Sequence, residues 1–167
     1  MKYVCSQQKE IKMKSKIILF LILIFVSNIS SAHDVQTDKI NINHPYVKTI
    51  DNKAYGYMKI VNKSTDVDRL IGIDVSFAKS GLYDAHMHDG ESPMKKIDYV
   101  EIPPQKAITL KQDSYHIMFS NLIIEVIEDM MLEAKLTFEK SGIIKIAFIV
   151  DNDDSYIKKI EKEHEGH

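Results

Sequence analysis

The sequence predicts an all-β domain, built as a sandwich or a closed barrel. Two observations carry that expectation. Beyond residue 53 the chain breaks into about eight short runs rich in β-branched and aromatic residues, separated by turn signals. No long amphipathic helical pattern intervenes between them, as an α/β architecture would require. Short strands at such spacing are the mark of sandwiches and barrels.

The elements follow in order. Residues 54–62 (AYGYMKIVN) alternate, with Tyr55, Tyr57, Lys59 and Val61 on one face and Ala54, Met58 and Ile60 on the other. Residues 70–77 form a β-branched run that ends near Lys79-Ser80-Gly81, and residues 82–86 make a short strand. Residues 96–102 read as one strand stopped by Pro103-Pro104. Residues 107–111 and 115–119 are two more. Residues 132–138 and 143–150 flank Glu139-Lys140-Ser141-Gly142, a connection suited to a hairpin. Residues 121–131 fit loop, strand or a single helical turn equally well. His44, before Pro45, is assigned no metal-binding role from the sequence.

The two ends of the chain read differently from its middle. Lys9, Lys12, Lys14 and Lys16 precede the apolar run IILFLILIFV at residues 17–26, and Ser30-Ser31-Ala32 supplies small residues after it. This is the pattern of a secretory signal over residues 1–32. The apolar run is short of the roughly 20 residues that span a bilayer. The expected organisation is therefore a signal peptide at 1–32, one domain at 33–150 and a charged, flexible tail at 151–167. The presequence holds five lysines and one glutamate of a chain with 22 basic and 24 acidic residues. The mature part keeps 17 basic and 23 acidic residues, a net charge near −6, which gives no support to nucleic-acid binding.

The single cysteine, Cys5, lies before the apolar run, out of place for lipid attachment. A mature chain without thiols excludes disulfides, thiolate metal sites and cysteine nucleophiles together. All seven histidines and six of the eight methionines remain.

Two clusters carry the chemistry. The first is DAHMHDGESPM, residues 84–94, where thioethers and imidazoles share a polar stretch. The second is Tyr115-His116-Ile117-Met118-Phe119. In a strand Tyr115, Ile117 and Phe119 take the core face, which turns His116 and Met118 the other way, roughly 6.5–7 Å apart. A methionine on that side is unexpected for packing. His86 with His88 beside it, Met94, His116 and Met118 therefore form a candidate metal-ligand set. Neutral thioethers favour Cu(I), and imidazole serves copper or zinc. Taken singly, each residue also fits a plain solvated or packing role.

These residues resemble the periplasmic copper chaperones of the PCuAC type, which have a cupredoxin-like β-sandwich or Greek-key barrel. The family hallmark is a histidine, a methionine some ten residues later, 21 residues, then His-x-Met. Here 21 residues separate Met94 from His116-Ile117-Met118. The resemblance extends to Ala54-Tyr55-Gly56-Tyr57-Met58, Val61-Asn62, Asp68-Arg69-Leu70, Ile102-Pro103-Pro104 and Leu136-Thr137-Phe138, and covers roughly residues 45–150. One departure is plain: the family spacing back from Met94 lands on Tyr83, so this loop is shortened. Asp84-Ala85-His86 matches the strand end that carries the family's histidine. The resemblance thus implies His86, Met94, His116 and Met118 as ligands, with His88 as alternate.

By resemblance, the expected function is to bind Cu(I), and Cu(II) as a second candidate, in the periplasm and pass it on. The implied recipients are copper-receiving proteins such as the copper subunit of cytochrome c oxidase and thioredoxin-like assembly factors, with the membrane met only through them. No enzymatic activity is expected. A cupredoxin electron carrier would need a cysteine thiolate. A zinc hydrolase on His86, His88 and His116, or a metal-free interaction module, are the alternatives. His33 at the new N-terminus, and His164 with His167 in the tail, are weaker chelating candidates.

Overall fold

The computed structural model describes residues 34–86 and 94–154. Eleven strands run through them: β1 (Val35–Gln36), β2 (Ile40–Ile50), β3 (Lys53–Asn62), β4 (Asp68–Asp74), β5 (Lys79–Asp84), β6 (Lys95–Ile97), β7 (Val100–Ile102), β8 (Ala107–Leu110), β9 (Tyr115–Ser120), β10 (Met131–Phe138) and β11 (Gly142–Val150). There is no helix among the described residues. The strands join in the order β6-β5-β9-β3-β2-β11-β10-β4-β7, with β1 added to β2 and β8 to β3. Strands β2 and β11 pair in parallel; their neighbours pair antiparallel.

The topology forces the sheet to curl. Its two end strands, β6 and β7, are consecutive in the chain and separated only by Asp98 and Tyr99. A flat sheet would hold them at opposite edges. Rolling it up brings β4 and β5 together, where Ser80 Oγ donates to the Ile73 carbonyl at 2.6 Å. The result is the all-β, cupredoxin-like barrel expected from the sequence. Inside it the alternate residues of each strand meet. Phe119, Phe138, Phe148, Ile40 and Ile60 are among the fully buried side chains. Phe119 packs on Phe77 at 5.3 Å and edge-on against Phe148 at 5.8 Å between centroids. Each such side chain contributes about 2–3 kcal/mol through burial. Gly56 makes this possible on β3, since a Cβ there would lie 3.0 Å from the Phe119 ring.

Three elements differ from expectation. The longest strand, β2, contains His44-Pro45 and was not among the runs read from the sequence. The structure absorbs that pair as a bulge: register shifts between Asn43 and Tyr46, and His44 sits at φ 53°. Asp34 supports the bulge, accepting from the His44 backbone N–H at 2.8 Å and lying 3.4 Å from its ring Nδ1. Residues 96–102 are two strands and not one, because the chain crosses there from one end of the sheet path to the other. Residues 121–130 form no strand or helix; their backbone is held piecemeal, with Ile123 N donating to Phe77 O and Asp129 N to Val150 O.

The β10–β11 hairpin lies where the turn residues predict it. Its turn is fastened from outside by Asp68, which is buried. The Asp68 carboxylate accepts from Arg69 N, Lys140 N, Ser141 N and Ser141 Oγ, at 2.5–3.0 Å. Burial alone would raise its pKa. The four hydrogen bonds outweigh that and hold it below the ordinary 3.8. After β11 the chain stays anchored through residue 154: Asn152 Oδ1 accepts from both Thr49 N and Thr49 Oγ1 at 2.8 Å, and Lys48 pairs with Asp154.

Candidate metal site

The site grows from β9, which lies between β5 and β3. Across the ladder Tyr83 faces His116, Gly81 faces Met118, and on the other side Tyr55 faces Met118. Directly opposed residues share a face of the sheet. The outer face therefore collects Tyr83, His116, Met118 and Tyr55, while Ile117 and Phe119 enter the core. Met118 is half-buried and takes no part in the hydrophobic core, unlike Met58 within it and Met130 packed against it.

His116 is on this outer face and yet only 1% exposed. Two tyrosines cover it. The Tyr83 ring lies nearly parallel at 6.1 Å and 14°, and the Tyr55 ring is tilted at 5.7 Å. Its Nδ1 sits 3.1 Å from the Ser114 carbonyl, an acceptor, so Nδ1 carries the hydrogen. Nε2 is buried and has no hydrogen-bond partner. A buried polar atom left unpaired costs about 1–3 kcal/mol, and in a native fold it calls for an explanation. Burial pushes the imidazole pKa below its ordinary 6.5, partly offset by the Ser114 carbonyl and the Asp84 charge. The ring is therefore neutral at pH 7, with its Nε2 lone pair available to a metal.

His86 stands two residues beyond the end of β5 and is half-exposed. Asp84 Oδ1 lies 2.6 Å from its Nδ1 and accepts from its backbone N–H at 2.9 Å. On the other side Nε2 meets Ser114 Oγ at 3.1 Å. The ring stands edge-on to Tyr115 at 4.8 Å. A carboxylate on one imidazole nitrogen, leaving the other to a ligand, is a recurrent arrangement behind metal-binding histidines.

Met94 directly precedes β6 and is 46% exposed. Lys95 faces Asp84 and Lys96 faces Tyr83, so the register sets Met94 level with Ala85. The ladder between β5 and β9 continues to that level, with Ala85 N donating to Ser114 O at 3.1 Å. His86, Met94 and His116 thus gather at one end of three adjacent strands, and Met118 stands two residues further in along β9. His88 lies outside the described residues, as do His33, His164 and His167. Sequence reading missed Asp84, Ser114, Tyr55 and Tyr83 as parts of this site. For two of them the sequence held a local signal, Asp84 two residues before His86 and Ser114 two residues before His116.

The LpqE-like lipoprotein family model matches residues 40–150, about two thirds of the chain. The chain belongs to the LpqE-like family. Among solved structures, it is similar to the copper-bound PCuAC domain from PmoF2, at 26% identity. That match covers 72% of this chain and 98% of that one, with a TM-score of 0.61. The apo PCuAC domain from PmoF1 is 22% identical, over 72% of this chain and 99% of that one, with a TM-score of 0.62. The solution structure of CuI-DR1885 from Deinococcus radiodurans is 20% identical, over 74% and 84%, at 0.58. The last two establish likeness of fold. No curated protein matches the chain. The resemblance to PCuAC-type domains read from the sequence is borne out, and with it the fold.

Proposed function

We propose that this protein is an exported copper carrier that binds Cu(I) through His86, Met94, His116 and Met118 and hands it to partner proteins. The observation that carries the reading is His116 Nε2, buried, neutral and without a hydrogen-bond partner, on the face that also bears a methionine outside the core. The donor chemistry fits: two neutral thioethers and two imidazoles suit soft Cu(I) better than zinc. Copper in the PmoF2 domain, the neighbour at 26% identity, supports the same reading. Nothing in the set calls for a catalytic role, and a carrier needs none.

The half-exposed setting of His86 and Met94 suits transfer. A recipient can add its own ligand on that side while His116 and Met118 still hold the ion. The periplasm is the compartment that fits, in line with the secretory-signal pattern read at residues 1–32 and the family's lipoprotein description. The recipients implied by the resemblance are the copper subunit of cytochrome c oxidase and thioredoxin-like assembly factors. Cu(II) is a second cargo for the same imidazoles. The test is competition with a Cu(I) chelator: the protein takes up one tightly held ion, and failure to compete at all contradicts the proposal.

A further inference from the structure

One residue touches both imidazoles. Ser114 is buried at 6% exposure and sits in the turn before β9. Its backbone is locked on both sides, since its N–H donates to Lys111 O at 3.1 Å and its carbonyl accepts from Ala85 N at 3.1 Å. The same carbonyl accepts from His116 Nδ1, and the side-chain Oγ meets His86 Nε2 at 3.1 Å.

We infer that Ser114 is a positioning residue for metal exchange: its carbonyl fixes the metal-binding nitrogen of His116, and its hydroxyl holds that of His86 until the ion displaces it. The inference rests on the Cu(I) function proposed above. The proton logic is direct. Asp84 Oδ1 accepts the His86 Nδ1 hydrogen, so in this tautomer the ring's lone pair lies on Nε2. The Ser114 hydroxyl donates to that lone pair. A copper ion needs the same lone pair, so the hydroxyl and the metal compete for one atom. Release requires only rotation of the serine side chain, because the locked backbone keeps the carbonyl on His116. In the metal-free protein both rings are thus oriented with Nε2 as the binding atom, and one of the two is covered.

The prediction separates main chain from side chain. Ser114→Ala keeps the carbonyl and so leaves His116 unchanged, but it removes the hydroxyl from His86. Ring-nitrogen NMR of the metal-free protein then shows the His86 Nε2 resonance shifted toward a bare acceptor, with His116 unmoved. Affinity for Cu(I), measured against a chelator, rises about fivefold, the worth of one ordinary hydrogen bond no longer broken on loading. Ser114→Thr, which retains a hydroxyl, restores both readouts. In the wild-type protein alone, His86 must show a protonated Nδ1 and a hydrogen-bonded Nε2. A protonated Nε2 there, an unmoved His86 resonance in Ser114→Ala, or unchanged or weaker copper binding by that variant overturns the inference. Failure of the wild-type protein to bind Cu(I) overturns the proposed function instead, and the metal-free spectra still decide the Ser114–His86 bond.

Discussion

Two methionines of similar chemistry meet opposite fates in this chain. Met118 shares the outer face of β9 with a buried, neutral histidine and stays out of the core, whereas Met131 is merely an exposed residue of β10. Loss of a soft ligand should be felt strongly in Cu(I) binding, and loss of a surface methionine should not. Met118→Ala is expected to weaken Cu(I) at least tenfold against a chelator, with Met131→Ala unchanged; equal affinities would remove Met118 from the site. His86→Ala should cost more affinity than His88→Ala, because His86 is held by Asp84 at the strand end. The opposite order would mean that His88 supplies the ligand. The proposed ligands stood out in the sequence because His-x-Met on an otherwise apolar strand breaks the packing pattern. Their supports did not. Asp84, Ser114 and the two tyrosines look like ordinary strand and turn residues until the register of β5, β9 and β3 sets them beside His86 and His116.

At the scale of elements, turn chemistry was readable and bulge chemistry was not. The β10–β11 connection was visible as Glu139-Lys140-Ser141-Gly142, and Gly142 indeed takes φ 75°. The strand β2, unread from the sequence, carries a His-Pro pair at a bulge, and Asp34, ten residues upstream, accepts from the His44 backbone there. The hairpin turn also leans on a distant residue. Asp68 gives its carboxylate to the backbone of Lys140 and Ser141, so Asp68→Ala should destabilise the fold by about 3 kcal/mol in denaturant unfolding. The pH dependence has a definite sign. The folded Asp68 pKa lies below its ordinary 3.8, so the unfolded chain binds the proton more readily. The stabilisation is complete well above pH 4 and is lost as pH falls through and below that value. The melting temperature of the wild-type protein should therefore exceed that of Asp68→Asn at pH 7, with the gap closing toward pH 3. A gap independent of pH would contradict the assignment.

For the molecule as a whole, the sequence established an all-β fold without its closure. Period-two alternation marks strands but says nothing of their order. That order depends on long-range pairing, such as the parallel contact of β11 with β2 across some hundred residues. Closure gathers the aromatic core around Phe119, and Phe119→Ala should cost about 3–5 kcal/mol, lowering the melting temperature by roughly 10 °C or more. Pairing of β6 with β5 and of β5 with β9 sets those three strands side by side, so that His86, Met94 and His116, far apart in sequence, come to one end of the barrel with Met118 next along β9. Whether that end is a copper site is tested most directly by X-ray absorption on the Cu(I)-loaded protein. A first shell containing sulfur as well as nitrogen scatterers is the expected result. A shell of nitrogen and oxygen alone would contradict it and turn the reading toward a histidine site of the zinc type.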